Sequence, residues 1–326
     1  MPTIYENKKR YLVTGGCGFI GSHLVDALVS KGHKVFVLDD LSTGKKENLN
    51  PKATLIIGDV TDYNVIEEVV SDIDGCFHLA AIASVEKSTT EWVRSHTVNV
   101  TATVNIFQAI SRLKKHIPMV YTSSAAVYGD CRVMPIAEST KAAPLTSYGV
   151  DKFSCDLHGR VAWNVHKIPN IGLRPFNVYG PRQDPSSPYS GVISIFANRI
   201  LRGEIINIYG NGEQIRDFVY VSDAVKAFIA SMDSLEYGKY RRKHDEINVC
   251  TGKATSINKL AEIISEISGC KMYRAYKPAR KGDIFVSVGD PAYLEARLKT
   301  KLTTKLIDGL AAMIGSSSLQ ATRKAG

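Results

Sequence analysis

The first half of the chain alternates short apolar runs with segments whose apolar residues recur at helical spacing. Tyr11 to Thr14 is the first apolar run, and Phe19 to Ser30 follows it with helical periodicity. Further apolar runs predict strands at Val35 to Leu38, Thr54 to Ile57, Cys76 to Ala80 and Met119 to Thr122. Helical segments follow at Val65 to Val70, Val98 to Leu113 and Ser147 to Lys167. This alternation predicts an α/β fold, a doubly wound parallel sheet covered by helices on both faces.

The regular alternation ends near residue 175, where prolines cluster at Pro175, Pro181, Pro185 and Pro188. Helical periodicity returns at Val192 to Leu201, Val221 to Met232 and Ile257 to Ile267. We therefore expect residues 1–175 to form the sheet domain and residues 176–314 a smaller, mixed α/β substrate-binding portion. Within that portion, about residues 213–235 are expected to return to the first domain. The small and polar residues 315–326 predict a flexible tail.

Composition and charge narrow the class of protein. Met1 to Arg10 lacks the apolar stretch of a signal peptide and no run of 18 apolar residues follows, so we expect a cytoplasmic protein without a membrane partner. The six cysteines are scattered and form no CxxC pair, which favours free thiols and no metal. The net charge of +9 comes from short basic clusters without interleaved aromatic residues, so a nucleic-acid partner is not expected.

A glycine loop, with Gly15, Gly18 and Gly21, joins the first strand to the first helix. Glycine lets the backbone approach a pyrophosphate, and the helix N-terminus offers N–H groups to its charge. In this context the spacing predicts a dinucleotide site in a Rossmann-type fold. Asp39 ends the second strand, where its carboxylate can accept hydrogen bonds from the adenosine ribose hydroxyls. A carboxylate there repels the 2′-phosphate of NADP, so the expected cofactor is NAD. Asp59, after the third strand, is a candidate for adenine contact or a turn carboxylate.

A serine, a tyrosine and a lysine form the candidate catalytic group. Ser123 and Ser124 follow the strand Met119 to Thr122, at the carboxyl end where such sheets bind ligands. Tyr148 and Lys152 are four residues apart on a predicted helix, so they share one face. The ammonium beside the phenol favours the phenolate, which makes the tyrosine a usable base.

These residues resemble the extended short-chain dehydrogenase/reductase family, and within it the UDP-glucose (UDP-galactose) 4-epimerases. The resemblance extends from the glycine loop to about Leu310. Beyond the segments above it includes Asp39 to Gly44, Phe77 to Ala81, Asn99, Ser123 to Gly129, Tyr148 to Lys152, Arg174 to Arg182, Gly210 to Gly212, Arg216 to Val219 and Arg280 to Asp283. The run Ala83 to Ser88 matches the family's cofactor loop only loosely.

The resemblance implies a reversible oxidation of a UDP-sugar at C4. It makes Tyr148 the base that acts on the sugar 4-hydroxyl and Ser124 a hydrogen-bond partner of that hydroxyl. Lys152 is the residue that binds the nicotinamide ribose. The hydride passes to tightly held NAD and returns to the other face of the 4-keto sugar. His78, in a buried strand, is interpreted as a core histidine. The family also implies a homodimer through the helices near Val98 to Leu113 and Ser147 to Lys167.

The family's binding positions can be carried onto this chain residue by residue. Those for the cofactor are Gly15, Gly18, Phe19, Ile20, Gly21, Asp39, Asp40, Leu41, Ser42, Thr43, Gly44, Asp59, Val60, Leu79, Ala80, Ala81, Ala83, Asn99, Ser123, Tyr148, Lys152 and Phe176. Those for the substrate are Ser84, Ser124, Tyr148, Asn177, Gly191, Val192, Asn207, Tyr209, Arg216, Arg280, Asp283 and Ser287. Arginine forks suit the phosphates.

Other activities within the family are weighed by single positions. Dehydratases and sugar-acid decarboxylases carry an acid just after the active-site serine or threonine, where this chain has Ala125 and Ala126. Asp39 disfavours a reductase that consumes NADPH. Sugar-acid 4-epimerases, 4-keto sugar epimerases and a non-catalytic NAD-binding sensor stay open. Ser287 stands where members restricted to UDP-glucose and UDP-galactose often have tyrosine, which predicts room for an N-acetyl group.

Overall fold

The computed structural model describes residues 8–113, 115–185, 191–238, 243–280 and 283–324, with side chains through residue 316. The strands in these residues are β1 (Arg10–Thr14), β2 (Lys34–Asp39), β3 (Thr54–Ile57), β4 (Gly75–His78), β5 (Met119–Thr122), β6 (Asn170–Pro175), β7 (Asn177–Tyr179), β8 (Ile205–Tyr209), β9 (Ile215–Tyr220), β10 (His244–Val249), β11 (Ala254–Ser256), β12 (Tyr273–Lys277) and β13 (Val286–Ser287).

The α-helices of the same residues are α1 (Phe19–Ser30), α2 (Tyr63–Val70), α3 (Val85–Thr90), α4 (Trp92–His96), α5 (Ala102–Arg112), α6 (Ser147–His166), α7 (Val192–Leu201), α8 (Val221–Tyr237), α9 (Ile257–Ser268), α10 (Ala292–Leu298) and α11 (Leu306–Lys324). A π-helical turn, Thr97–Thr101, joins α4 to α5, and Ala125–Tyr128 forms a 3₁₀ turn.

Seven strands form one parallel sheet in the order β3-β2-β1-β4-β5-β6-β10. Successive side chains of a strand point to opposite faces, so Leu12 and Val13 enter different cores. Val13 packs in a cluster with Leu24 of α1 and Phe228 of α8. Leu12 packs in another with Ile106 of α5 and with residues of α2 and α6. The predicted Rossmann-type sheet with two covered faces is confirmed.

A smaller portion surrounds β9, which pairs with β7, β11 and β13. Strands β8 and β12 form a separate parallel pair. A third apolar cluster joins these strands to α7, α9 and α11, with Phe196, Ile208 and Ile264 among its buried members. This mixed α/β arrangement is the one expected for the second half of the chain.

Two features depart from the expected division of the chain. Strand β10 pairs with β6 and so adds a seventh strand to the main sheet, although it lies within residues 176–314. Helix α8, within the stretch expected to return to the first domain, packs against α1 and β6, whereas β9 stays in the smaller sheet. A break at residue 175 therefore does not separate the sheet from the rest of the chain.

The last residues are helical rather than irregular. Helix α11 extends through Lys324 and so includes most of the stretch for which a flexible tail is predicted. Ala325 and Gly326 lie outside the described residues, as do Pro188 and Met1 to Asn7, on which other predictions rest. All six cysteines are free thiols, as expected. None of the helices in the described part of the chain is long and apolar enough to cross a bilayer.

Candidate active site

The predicted cofactor and catalytic residues gather at one edge of the parallel sheet. The glycine loop follows β1, Asp39 ends β2, the segment from Leu79 follows β4, Ser123 and Ser124 follow β5, and Phe176 follows β6. The strand order turns back between β1 and β4, which is the point where open α/β sheets bind ligands. These segments come together because the carboxyl ends of parallel strands share an edge.

The glycine loop is packed too closely for side chains. Gly15 has a φ of +69°, and a Cβ there would lie 2.8 Å from the Ala80 nitrogen. A Cβ on Gly21 would overlap the Gly15 carbonyl oxygen. Gly18 is the N-cap of α1, and the first turn of that helix carries no acidic residue. The backbone N–H groups at the helix start are therefore open to an anion, and the loop fits a dinucleotide pyrophosphate.

Asp39 fixes the shape of the loop as well as offering acceptors. One carboxylate oxygen accepts the Cys17 N–H at 2.9 Å and the other accepts the Leu41 N–H at 2.9 Å. Burial raises the pKa of Asp39 above its ordinary value, and these two N–H groups oppose the rise. Asp40 accepts both the N–H and the hydroxyl of Ser42. The segment Asp39 to Gly44, which is predicted to bind the adenosine of the cofactor, is thus held in shape by the carboxylates of Asp39 and Asp40.

Asp59 forms a turn with Thr61. Its Oδ1 accepts the N–H and the hydroxyl of Thr61, each at 2.8 Å, and the side chain is exposed. This is the turn carboxylate that the sequence also allows, while adenine contact by Asp59 and Val60 stays a prediction.

Three buried side chains, Thr14, His78 and Thr103, form a chain of polar contacts beneath the loop after β4. The Thr14 hydroxyl oxygen accepts the N–H groups of Leu79 and Ala80, each at 3.2 Å, and lies 2.7 Å from His78 Nδ1. His78 Nε2 lies 3.1 Å from the Thr103 hydroxyl. Burial, with a contribution from the Lys152 ammonium, lowers the pKa of His78 to about 3. His78 is therefore a neutral core histidine, as predicted.

The catalytic residues predicted from the sequence lie together. Lys152 is buried, and its ammonium donates to the Thr122 carbonyl at 2.7 Å, at the end of β5. The same nitrogen lies 5.8 Å from the centroid of the Tyr148 ring. The Ser124 hydroxyl oxygen accepts the Ala126 N–H at 3.1 Å, which leaves its own proton to donate. Ser123 is fully buried against the backbone of Lys152, so Ser124 is the more accessible serine.

Helix α6 is set close to the serine turn by two residues beside Tyr148. Thr146 caps the helix by accepting the Gly149 N–H at 3.1 Å. A Cβ at Gly149 would lie 2.7 Å from the Ala126 carbonyl oxygen. The small residue therefore permits the approach of the two elements that carry Ser124 and Tyr148.

The predicted substrate residues form a second, charged group in the smaller portion of the chain. Arg216 Nη2 lies 2.7 Å from Asp283 Oδ1. Burial lowers the pKa of Arg216, and Asp283 opposes this. The Arg280 guanidinium lies 4.0 Å from the centroid of the Tyr209 ring. Ser287 is paired in register with Arg216, so it lies beside this group. Lys281 and Gly282 of the late motif lie outside the described residues.

The remaining predicted positions connect or flank the two groups. Phe176 is buried and donates its N–H to Val249. Asn177 follows it and donates to the Asp217 carbonyl at 3.1 Å, which links the sheet edge to the strand of Arg216. Asn207 lies on β8, Gly191 is the N-cap of α7, and Val192 is the first residue of that helix. Ser84 caps α3 by accepting the Lys87 N–H at 2.9 Å.

Asp217, which the sequence shows only as part of the motif Arg216 to Val219, has a structural role of its own. It is fully buried, and its carboxylate accepts hydrogen bonds from Thr251, Gly252 and Gly289. Burial raises its pKa, and these donors oppose the rise. The available sequence signal was an aspartate directly before two apolar residues, Phe218 and Val219, in one strand. Its bonds hold β9, and hence Arg216, against the segment that follows Ser287.

Residues 11–293 match the model of the NAD dependent epimerase/dehydratase family. The chain belongs to this family. It is 34% identical to the UDP-glucose 4-epimerase of Thermotoga maritima, solved with UDP-glucose, with a TM-score of 0.90 over 96% of this chain and 99% of that one. It is 38% identical to the UDP-N-acetylglucosamine 4-epimerase of Methanobrevibacter ruminantium, solved with UDP-N-acetylmuramic acid, with a TM-score of 0.89 over 96% and 99%.

Similarity also extends to a different reaction. The UDP-N-acetyl-alpha-D-glucosaminuronate decarboxylase of Bacillus cytotoxicus is 33% identical over 286 residues, which are 84% of this chain and 86% of that protein. The resemblance to the extended short-chain dehydrogenases and their 4-epimerases is confirmed, and NAD is the cofactor. The chain is therefore an NAD-dependent epimerase, and the comparisons leave the identity of its sugar substrate open.

Proposed function

We propose that this enzyme interconverts UDP-glucose and UDP-galactose. The observation that carries the proposal is the buried Lys152 ammonium, anchored on Thr122 and placed beside the Tyr148 ring. A tyrosine at the ligand edge of the sheet, beside a fixed cation, is placed to exchange a proton with a sugar hydroxyl, which is the first requirement of epimerisation through a ketone.

The side chains have distinct tasks in this scheme. Tyr148 takes the proton of the 4-hydroxyl and returns it after the sugar has turned. Ser124 donates to the same oxygen, since its own oxygen is already engaged by Ala126. When bound, NAD would accept the C4 hydride, and its reduced form would donate the hydride back. The glycine loop and Asp39 would hold its pyrophosphate and adenosine ribose.

The nucleotide must stay in place while the sugar turns. The Arg216 fork is held by Asp283, and the Arg280 guanidinium is held on Tyr209, so both cations are oriented before a ligand arrives. Oriented guanidinium groups suit the oxygens of a diphosphate. We assign these two arginines to the UDP diphosphate and Asp283 to its ribose, with Asn207, Gly191 and Val192 as weaker candidates for the uracil.

The serine turn favours epimerisation over loss of water or carbon dioxide. Ala125 and Ala126 form the first residues of the 3₁₀ turn, next to Ser124. Neither methyl group can act as the acid that dehydratases and sugar-acid decarboxylases need there. A UDP-glucuronate 4-epimerase needs no such acid and is therefore the competing assignment.

The region around Ser287 supports a broader choice of sugar. Ser287 is paired with Arg216, on the strand beside the proposed diphosphate site. A serine leaves space where a tyrosine would fill it. We propose that UDP-GlcNAc and UDP-GalNAc are also accepted.

The outer face of α6 supports a homodimer. Val150, Leu157, Val161 and Val165 are spaced to share one side of this helix, and each is more than 40% exposed. A contiguous apolar stripe of this kind favours a protein interface. We propose that α6 and the α4–α5 segment of two copies pack together. The cytoplasm stays the proposed compartment, with the six free thiols in its support.

The experiment that tests the function is a substrate panel in heavy water without added NAD, followed by NMR. UDP-glucose, UDP-galactose, UDP-GlcNAc, UDP-GalNAc and UDP-glucuronate are compared. We expect C4 epimers of the two plain hexoses without solvent deuterium, because the hydride returns directly. Turnover of UDP-glucuronate alone, or deuterium at C5, would overturn the assignment. Tyr148→Phe is the control and should slow turnover by about 10²-fold or more.

A further inference from the structure

A buried carboxylate lies directly before the catalytic lysine. Asp151 is 1% exposed, on α6 between Tyr148 and Lys152. Its Oδ1 lies 2.9 Å from His96 Nδ1. A buried carboxylate needs hydrogen-bond donors on both oxygens. The donor to its second oxygen is therefore informative.

That second donor is the Asn99 amide, at 3.3 Å from Asp151 Oδ2. The other end of the same amide serves the loop after β4: Asn99 Oδ1 accepts the Ile82 N–H at 2.8 Å. Asn99 Nδ2 also lies 3.3 Å from the Ile82 carbonyl oxygen. A carboxylate can only accept, so it requires the NH₂ of Asn99 to face it. The Asp151 carboxylate and the Ile82 N–H therefore require the same orientation of the Asn99 amide.

The backbone around Asn99 is already fixed. Asn99 lies in the π-helical turn, and its carbonyl accepts the Thr103 hydroxyl at 2.8 Å and the Cys155 thiol at 3.1 Å. The side-chain amide of Asn99 is in turn held between Ile82 and Asp151. Ile82 follows Leu79 to Ala81, a segment assigned to the cofactor.

We propose that Asp151 is a positioning residue for NAD binding. It accepts the Asn99 amide in the orientation that Ile82 also requires and so joins the Ile82 loop to the helix that carries Tyr148 and Lys152, while His96 contacts the other carboxylate oxygen. The inference rests on the cofactor, and on the proposed function only for its kinetic readout.

A swap of the two side chains tests the coupling. Asn99→Asp places two carboxylates opposite each other, so we expect NAD to dissociate at least about tenfold faster. Adding Asp151→Asn restores a donor opposite the new carboxylate at position 99, whose other oxygen still accepts the Ile82 N–H. The double variant N99D/D151N should therefore retain NAD better than N99D alone. NAD per protomer after desalting and the rate of NAD loss are the readouts.

Single variants at position 151 keep the proposal testable if N99D does not fold. Asp151→Leu removes the acceptor and should speed NAD loss, whereas Asp151→Asn can turn its carbonyl toward Asn99 and should stay close to the wild type. With UDP-galactose, D151L should lower kcat and leave KM nearly unchanged. Ser154→Ala, on the same helix, is the control, since its hydroxyl bonds only the Val150 carbonyl in the described contacts.

Two results would overturn the proposal. One is unchanged NAD retention in a folded D151L variant, and the other is a double variant no better than N99D. NAD retention does not depend on the sugar. A wild type that holds NAD but does not epimerise UDP-hexoses would therefore refute the proposed function and leave this test intact.

Discussion

Gly15 and Gly203 share a left-handed backbone but differ in surroundings. Their φ values are +69° and +67°. A Cβ at Gly15 would meet the Ala80 backbone, whereas nothing lies within 4 Å of one at Gly203. Either glycine-to-alanine change should lower the free energy of unfolding by about 1–2 kcal/mol through backbone strain. Only Gly15→Ala should also lose NAD, measured as cofactor per protomer. Equal NAD content in the two variants would mean that the close approach at Gly15 does not shape the site.

Ser287 is the residue on which sugar choice is expected to depend. Ser287→Tyr places a ring beside Arg216, on the neighbouring strand. We expect loss of UDP-GlcNAc and UDP-GalNAc epimerisation with UDP-galactose turnover retained, because the N-acetyl group occupies the filled space. Initial rates on the four sugars provide the measurement. Loss of all four activities, or of none, would contradict the assignment.

At the scale of elements, local patterns predicted β1 to β5 of the main sheet. They predicted neither β6 nor β10, and the first residues of β10 are the polar His244, Asp245 and Glu246. Two of these side chains contact partners far along the chain: His244 Nδ1 lies 2.8 Å from Asn170 Oδ1, and Asp245 pairs with Arg297. A polar strand paired in this way has no signal in its own sequence. The π-helical turn at Asn99 was hidden for the same reason, since its contacts lie on α6 and the β4 loop.

Helix α6 carries a prediction of its own. Val161→Glu together with Val165→Glu places charges on the exposed apolar stripe, where the two valines are 51% and 66% exposed. A dimer packed on this face should become a monomer, because burying two like-charged pairs is unfavourable. Light scattering after gel filtration measures the mass. Val133→Glu, at a valine 68% exposed elsewhere, should leave the mass unchanged. A monomeric wild type would refute the interface.

At the scale of the whole molecule, the sequence predicted which loops meet, because a parallel sheet brings its carboxyl ends to one edge. It did not predict how charges in the smaller sheet are paired. Arg216 and Asp283 are 67 residues apart, and Asp217 reaches Thr251 and Gly289 on separate segments. Motif resemblance named the arginine and its partner without showing that they touch. Only the folded chain supplies such contacts.

The stability of the folded molecule should depend on His78 in mildly acidic solution. Burial lowers the pKa of His78 from 6.5 to about 3. Between these values the unfolded chain binds a proton that the folded chain does not, so stability falls as pH decreases below 6.5. One such group contributes about 1.4 kcal/mol per pH unit to the free energy of unfolding. His78→Gln removes this contribution while keeping a donor and an acceptor between Thr14 and Thr103. Urea unfolding from pH 6 to 4.5 should therefore show a free energy of unfolding whose slope against pH is shallower by about that amount than in the wild type.

The control is His158→Gln, at an exposed position of α6, which should keep the wild-type slope. Equal slopes in all three proteins would show that His78 is protonated in the folded state.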